Sequence, residues 1–502
     1  MPTLIKIFKY TEDFWMTWPL ATVQFYQPIA QGSPTCRPVK VFDAGFPMGE
    51  ADKALEFIDA FLQPEDPGAM SKCLAWLCLN LQKLPNDFED AETGLPLSSE
   101  DMIKSYLTKI ESFYQSNPGP ACNIEFVEAS VLLHQLYLSL GRPSKAWKTS
   151  RAAVSDAMLL GLHLPGSSVR ERGVWETLWM QDRQLSMFLG FPYAVPEHLT
   201  TRTTEDEYPV PEQEIFRRMA MTSGRIGHRD QVQENTPVSI LSCISKGMKE
   251  LKDMIPDEWG TKSESGTALS FAQVFVHTNI KLYYHTINQA MHLPYARLAA
   301  HDGKYEYARS TVLESAEGAI RAYQDMRALE VKTHNPVRNE YLDFLAFQAA
   351  VILAVDLISP EFVWAKEEEQ RLWTIIFELT QRMTKTNEVS DRRVVDQAAT
   401  VLENLYAASH GVWGGRGQYQ VTIPYFGRIK ISSSSEATQH HTREHQMSEA
   451  TKTVVELESN MFTFRRPDKN LTAGELTGDW SAGSDSAIQY EWKGVYEFAD
   501  QL

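Results

Sequence analysis

Cysteine is scarce in this 502-residue chain: five residues, at 36, 73, 78, 122 and 243, follow no regular spacing. That scarcity excludes a disulfide framework and suits a reducing compartment. It also excludes a binuclear zinc cluster, which needs about six cysteines within roughly thirty residues so that thiolates bridge two metals. The one close pair, Cys73 and Cys78, stands beside Leu74, Trp76 and Leu77 and reads as helix packing. Basic clusters are missing too. With 48 Lys and Arg against 65 Asp and Glu, the net charge is −17, which opposes general attraction to phosphate backbones because that attraction depends on clustered cations releasing counterions. Long apolar runs are also lacking: Phe344–Val355, the longest without charge, is too short to span a bilayer and predicts a helix buried on all sides, so no membrane is expected. At the N-terminus Lys6, Lys9, Glu12, Asp13 and Pro19 break up any targeting signal.

Catalytic motifs are equally thin. His441, Glu444 and His445 fit the spacing of inverted zinc metallopeptidases, but polar flanks surround them and no packed helix would carry a third ligand. Glu205, Asp206 and Glu207 lie beside prolines and read as a solvated charge run rather than as metal carboxylates in an apolar cavity. The glycines between His410 and Gly417 come without the lysine and strand of a phosphate loop, and no nucleophile elbow occurs. The chain is therefore read as a non-enzyme with no cofactor of its own.

What is abundant is helical periodicity, strongest between Phe126 and Pro196. Phe126, Ala129, Leu132, Leu133, Leu136, Tyr137 and Leu140 share one face before Gly141 and Pro143. Ser144 is the expected N-cap of a second helix, whose stripe of Ala146, Trp147, Ser150, Ala153, Val154, Ala157 and Met158 contains small residues that admit a neighbouring backbone. A third helix puts Val174, Trp175, Leu178, Trp179, Asp182, Leu185, Ser186 and Leu189 on a broad face before Gly190 and Pro192. Asp182 thus points into an apolar stripe and requires a partner from another helix, since an unpaired buried carboxylate costs several kcal/mol. Arg183 follows it but projects about 100° away, so only Asp182 is expected to face the core. The two are read as structural rather than catalytic.

Taken in order, Ala129–Tyr137 with Gly141, Ala146-Trp147, Ala157–His163, Glu171-Arg172, Val174-Trp175 and Asp182–Ser186 with Gly190 and Pro192 resemble the central regulatory domain of fungal zinc-cluster transcription factors. Looser likeness extends to Phe46–Leu62 and Val276–Tyr295. The chain departs from that pattern around Arg172–Glu176 and where Phe191 and Leu293 precede proline. The resemblance implies an all-α fold, a nuclear location and a part in RNA polymerase II-dependent control of a metabolic or biosynthetic pathway, here without the family's own zinc-cluster DNA reader. It further implies control through sensing of a small-molecule effector, through intramolecular inhibition, or through a homo- or heterodimer with a DNA-binding transcription factor. Trp175, Trp179, Asp182, Arg183 and Tyr283 are the candidate pocket residues, with a closed cavity lined by Trp175, Trp179 and Tyr283 as the sign of ligand sensing.

The expected organisation is an irregular lead-in over residues 1–45, a large helical regulatory domain over 46–431 that ends in a short β-hairpin at Tyr419–Ile431, and a mobile acidic tail over 432–502. The tail carries twelve acidic against six basic side chains and ends with Trp480, Tyr490, Trp492, Tyr496 and Phe498, a composition that suits either coactivator binding or a terminus docked on the helical domain. Thr200–Glu214 and Pro256–Gly266 read as long loops. The competing reading is a helical-repeat scaffold of the tetratricopeptide kind, because Tyr137, Leu140, Gly141, Ala146, Ala153, Ala157 and Pro165 imitate one repeat; only one copy is visible, and about three are needed for a stable stack.

Overall fold

The computed structural model describes residues 2–15, 66–84, 97–116, 123–199, 211–232, 238–256, 271–333, 338–359, 361–385, 393–410, 418–423, 427–433, 453–458 and 488–490, with isolated positions at 54–55, 58, 88, 95 and 259. The fold is all-α. Its contacts divide the chain into two compact units, one of residues 1–187, 191–284 and 322–341, the other of 188–190, 285–321 and 342–502.

The first unit opens with helix α1, Pro2–Trp15, where the sequence suggested an irregular lead-in. The physical reason lies in Phe8, Thr11 and Trp15, which recur at helical spacing and are all buried. The rings of Phe8 and Trp15 each lie 5.2 Å from that of Trp76. Thr11 Oγ1 and Trp15 Nε1 both donate to Asn80 Oδ1, at 2.5 and 2.9 Å. Trp76 and Asn80 belong to α2, Pro67–Gln82, whose N-cap Asp66 accepts from the Gly68 amide and which is buried continuously from Ser71 through Gln82.

Helices α3, Ser99–Ser116, α4, Ile124–Ser139, and α5, Pro143–Leu159, follow. Asn123 caps α4 by accepting from the Phe126 amide at 3.1 Å. Gly141 then turns the chain at φ 68°, a conformation that a side chain would resist. The cap of α5 differs from expectation. Arg142 occupies that position without a side-chain cap bond, Pro143 takes the first helical position, and Ser144 is already inside the helix. Proline's fixed φ suits the first turn and its missing N–H is no loss there. The α6 helix, Val169–Leu189, packs through Val174, Trp175, Leu178 and Trp179 against Val131 of α4 and Val154 of α5. Helices α7, Pro211–Val232, and α8, Val238–Met254, pack on each other.

Helices α9, Phe271–Ala296, and α10, Glu306–Thr333, contribute residues to both units. The second unit also holds most of α11, Glu340–Ile358, together with α12, Lys366–Lys385, and α13, Arg393–Ser409. By length and composition α11 could cross a membrane, yet 78% of its most apolar window is buried inside the fold; every residue from Phe344 to Ala354 is buried. Arg309 of α10 grips Asp356 of α11 with two bonds, at 2.8 and 2.6 Å. Gly318 of α10 lies against the His285 ring, so close that an added Cβ would stand 2.5 Å from Nε2.

Strands β1, Gln418–Ile423, and β2, Gly427–Ser433, pair antiparallel with Val421 opposite Ile429; residues 424–426 between them lie outside the described residues. Strand β3, Thr453–Glu458, pairs with β2, and β4, Ile488–Tyr490, runs parallel to β1. The remainder of the predicted tail, including Trp480, Trp492, Tyr496, Phe498 and the His441–His445 stretch, lies outside the described residues, as does Glu205–Glu207.

Candidate functional site

Four of the five candidate residues sit on α6, and all four are buried. The helical stripe explains Trp175, Trp179 and Asp182. Their side chains converge on the segment Pro192–Leu199, which follows the helix after Gly190 turns the chain at φ 72°. Trp175 Nε1 donates to the Leu199 carbonyl at 2.7 Å, and Trp179 Nε1 to that of Pro196 at 3.4 Å. Asp182 Oδ2 accepts from the Ala194 and Val195 amides at 2.7 and 3.2 Å. Its other oxygen, Oδ1, lies 3.1 Å from Arg151 Nε on α5, the partner from another helix that the apolar setting demanded. Burial raises the Asp182 pKa above the usual aspartate value, although Arg151 and the two amides pull it down.

Arg183 departs from expectation. Its side chain is fully buried rather than turned outward. The guanidinium lies between two ring faces, 4.4 Å from the centroid of Trp179 and 4.2 Å from that of Tyr193, and Nη2 donates to the Val195 carbonyl at 3.0 Å. Room for it comes from Gly224 of α7, whose Cα hydrogens face the guanidinium, with Cζ 3.1 Å from where a Cβ would stand. Burial lowers the Arg183 pKa. A 100° offset therefore does not carry a side chain into solvent when a second layer of structure covers that side. Asp182 and Arg183 make no ion pair with each other: one is held by Arg151, the other by aromatic faces and a carbonyl.

Tyr283 stands apart. It is half-buried on α9, its ring 6.2 Å from that of Tyr341, and burial pushes its hydroxyl well above the usual range. Side chains including Val131, Val154, Leu178, Val195 and Ala220 pack around the two tryptophans, and Tyr283 does not join them. A recess of about 410 Å³ opens nearby, lined by Glu197, His198, Arg217 and Met221. Its charges are already matched, since Glu197 pairs with Arg225 at 2.7 Å and Arg217 with Glu214 at 3.1 Å. Among the described residues no three His, Cys, Asp or Glu side chains are placed to hold a metal.

A second cluster escaped sequence reasoning. Lys72 of α2 reaches Glu125 Oε2 at 2.8 Å and Glu128 Oε2 at 2.6 Å, both on α4, while Arg170 of α6 bonds Glu128 Oε1 at 2.8 Å and Glu125 Oε1 at 2.5 Å. The Lys72 side chain is 0% and that of Glu128 1% exposed, so two cations and two anions cancel inside the fold. Lys72 and Arg170 hold the Glu125 carboxyl below its usual pKa against the opposing effect of burial, which is the largest single influence. The hydrogen bonds that Arg170 donates to Glu128 are the largest influence raising its own pKa. The signal in the sequence was a lone lysine within the otherwise apolar and small-residue run of α2.

No protein-family model matches the chain. It is similar, however, to curated fungal regulators. It is 22% identical over 420 residues to a dehydrocurvularin biosynthesis regulator of Aspergillus terreus, covering 73% of this chain and 56% of that protein. With the regulator of the same name from Alternaria cinerariae it shares 22% identity over 413 residues, 74% of this chain and 53% of the relative. It is 18% identical over 368 residues to the transcription factor sdnS of Sordaria araneosa, covering 68% and 46%. The chain thus spans about half the length of the curated relatives it matches. These similarities support a transcription-regulator role.

Proposed function

We propose that this chain is the regulatory helical part of a fungal transcription regulator that acts in the nucleus on a metabolic or biosynthetic pathway transcribed by RNA polymerase II. One observation carries the reading: similarity to proteins named as transcription factors and biosynthesis regulators runs across 68–74% of the chain for the three relatives described, far more than a shared motif would give. The candidate residues on α6 use their polar atoms to hold the chain itself. Promoter contact comes through a homo- or heterodimeric partner that reads DNA, an effector is bound by the helical part, and the tail contacts a coactivator.

The test joins two measurements. Deleting the gene should change the transcript levels of a defined set of pathway genes severalfold. Fusing the chain to an unrelated DNA-binding module should alter a reporter driven by that module's site. Unchanged transcripts together with a silent reporter would refute the proposal.

A further inference from the structure

The segment Pro192–Leu199 is held by a run of hydrogen bonds to its backbone, and by the Tyr193 ring over Arg183 and the buried Val195 side chain. Arg151 takes the Pro192 carbonyl, Asp182 the Ala194 and Val195 amides, Arg183 the Val195 carbonyl, Trp179 that of Pro196 and Trp175 that of Leu199. Only Arg151 of these donors and acceptors comes from outside α6. The far end has one more attachment, Glu197 to Arg225 of α7, at 2.7 and 3.3 Å, and both side chains are partly exposed.

Beneath this segment the carboxylates of Glu197 and Asp182 act on Arg183 without bonding to it. No carboxylate pairs with Arg183 among the described residues, and its buried Nε and Nη1 lack hydrogen-bond partners. A buried guanidinium gains from further acceptors, so Nε and Nη1 are donors that the oxygens of an anion could take. Trp179 and Trp175 provide broad apolar surfaces beside it.

We propose that Pro192–Leu199 is a releasable strap, closed in this structure, whose opening uncovers the Trp175, Trp179 and Arg183 face of α6 as a binding surface for a flat apolar molecule bearing an anionic group. Gly190 provides the turn at one end, and the Glu197–Arg225 pair is the latch at the other. An effector of this class selects the open form, because only there do its anionic group and ring meet Arg183 and the indoles. The inference rests on the effector-binding part of the proposed function, and its test does not depend on transcription.

Native-state hydrogen exchange on the full chain should show the Ala194 and Val195 amides exchanging at least about tenfold faster than the α6 amides of Leu178 and Trp179, through an opening insensitive to low denaturant. Arg225→Ala, which removes the latch without touching the covered face, should speed exchange at those two amides further and leave α6 unchanged. The arylsulfonate 8-anilinonaphthalene-1-sulfonate should bind Arg225→Ala about tenfold more tightly than the wild type, and adding Arg183→Met should abolish that gain. Exchange of Ala194 and Val195 only with global unfolding would overturn the strap and would leave the reporter result standing. Probe binding indifferent to Arg183→Met would overturn the covered face as its site.

Discussion

At the residue scale, Gly224 and Arg183 make the sharpest case. Alanine in place of a helical glycine normally gains about 1 kcal/mol, but the new Cβ at position 224 would meet the Arg183 guanidinium, and overpacking of this kind costs about 1–3 kcal/mol. Gly224→Ala should therefore lose about 1 kcal/mol net in urea unfolding, and Arg183→Met should turn that loss into a gain, measured as the coupling in a double-mutant cycle. A buried histidine provides a pH test. His134 Nδ1 lies 2.6 Å from Ser150 Oγ, and burial pushes its pKa down to about 4, against the opposing effect of the Ala146 carbonyl. The unfolded chain takes up that proton near pH ~6.5, so this site's stability is intact above that pH and is lost as pH falls toward about 4. The loss is worth about 3 kcal/mol. In denaturation curves between those pH values, His134→Gln should shallow the slope by about one proton; an unchanged slope would contradict a neutral, buried His134.

At the scale of elements, helices α2, α4 and α6 are joined by the cluster of Lys72, Glu125, Glu128 and Arg170. Removing Lys72 leaves Glu125 and Glu128 sharing Arg170, with one buried negative charge in excess, whereas removing Lys72 and Glu128 together leaves Arg170 matched by Glu125. Lys72→Met should cost about 3–5 kcal/mol by thermal or urea unfolding. The double variant Lys72→Met with Glu128→Gln should recover at least half of it, and simple additivity would show that the buried pair is not coupled. The caps behave more locally. Asn123, Gly141 and Pro143 bound α4 and α5 where turn chemistry puts those boundaries, because each acts on its own backbone within a few residues.

For the whole molecule, 65 acidic against 48 basic residues oppose phosphate contact, and the cysteines show no zinc-cluster spacing. The purified chain should give no shifted complex with duplex DNA at physiological salt, and a tight sequence-dependent complex would show a DNA-reading surface of its own. The sequence by itself determined the helical architecture, the buried character of Phe344–Ala354 and the inward turn of Trp175, Trp179 and Asp182, because periodicity and punctuation are written in local spacing. It could also say that Asp182 needed a partner, though not that Arg151 would provide it. Only the tertiary structure decided that Arg183 is buried too, that Tyr283 sits with Tyr341 rather than with the tryptophans, that α1 is a helix packed on Trp76, and that Lys72 is neutralised by two glutamates. Each of these depends on which distant segment covers a given helix face, and a periodic pattern specifies that a face is covered without specifying by what.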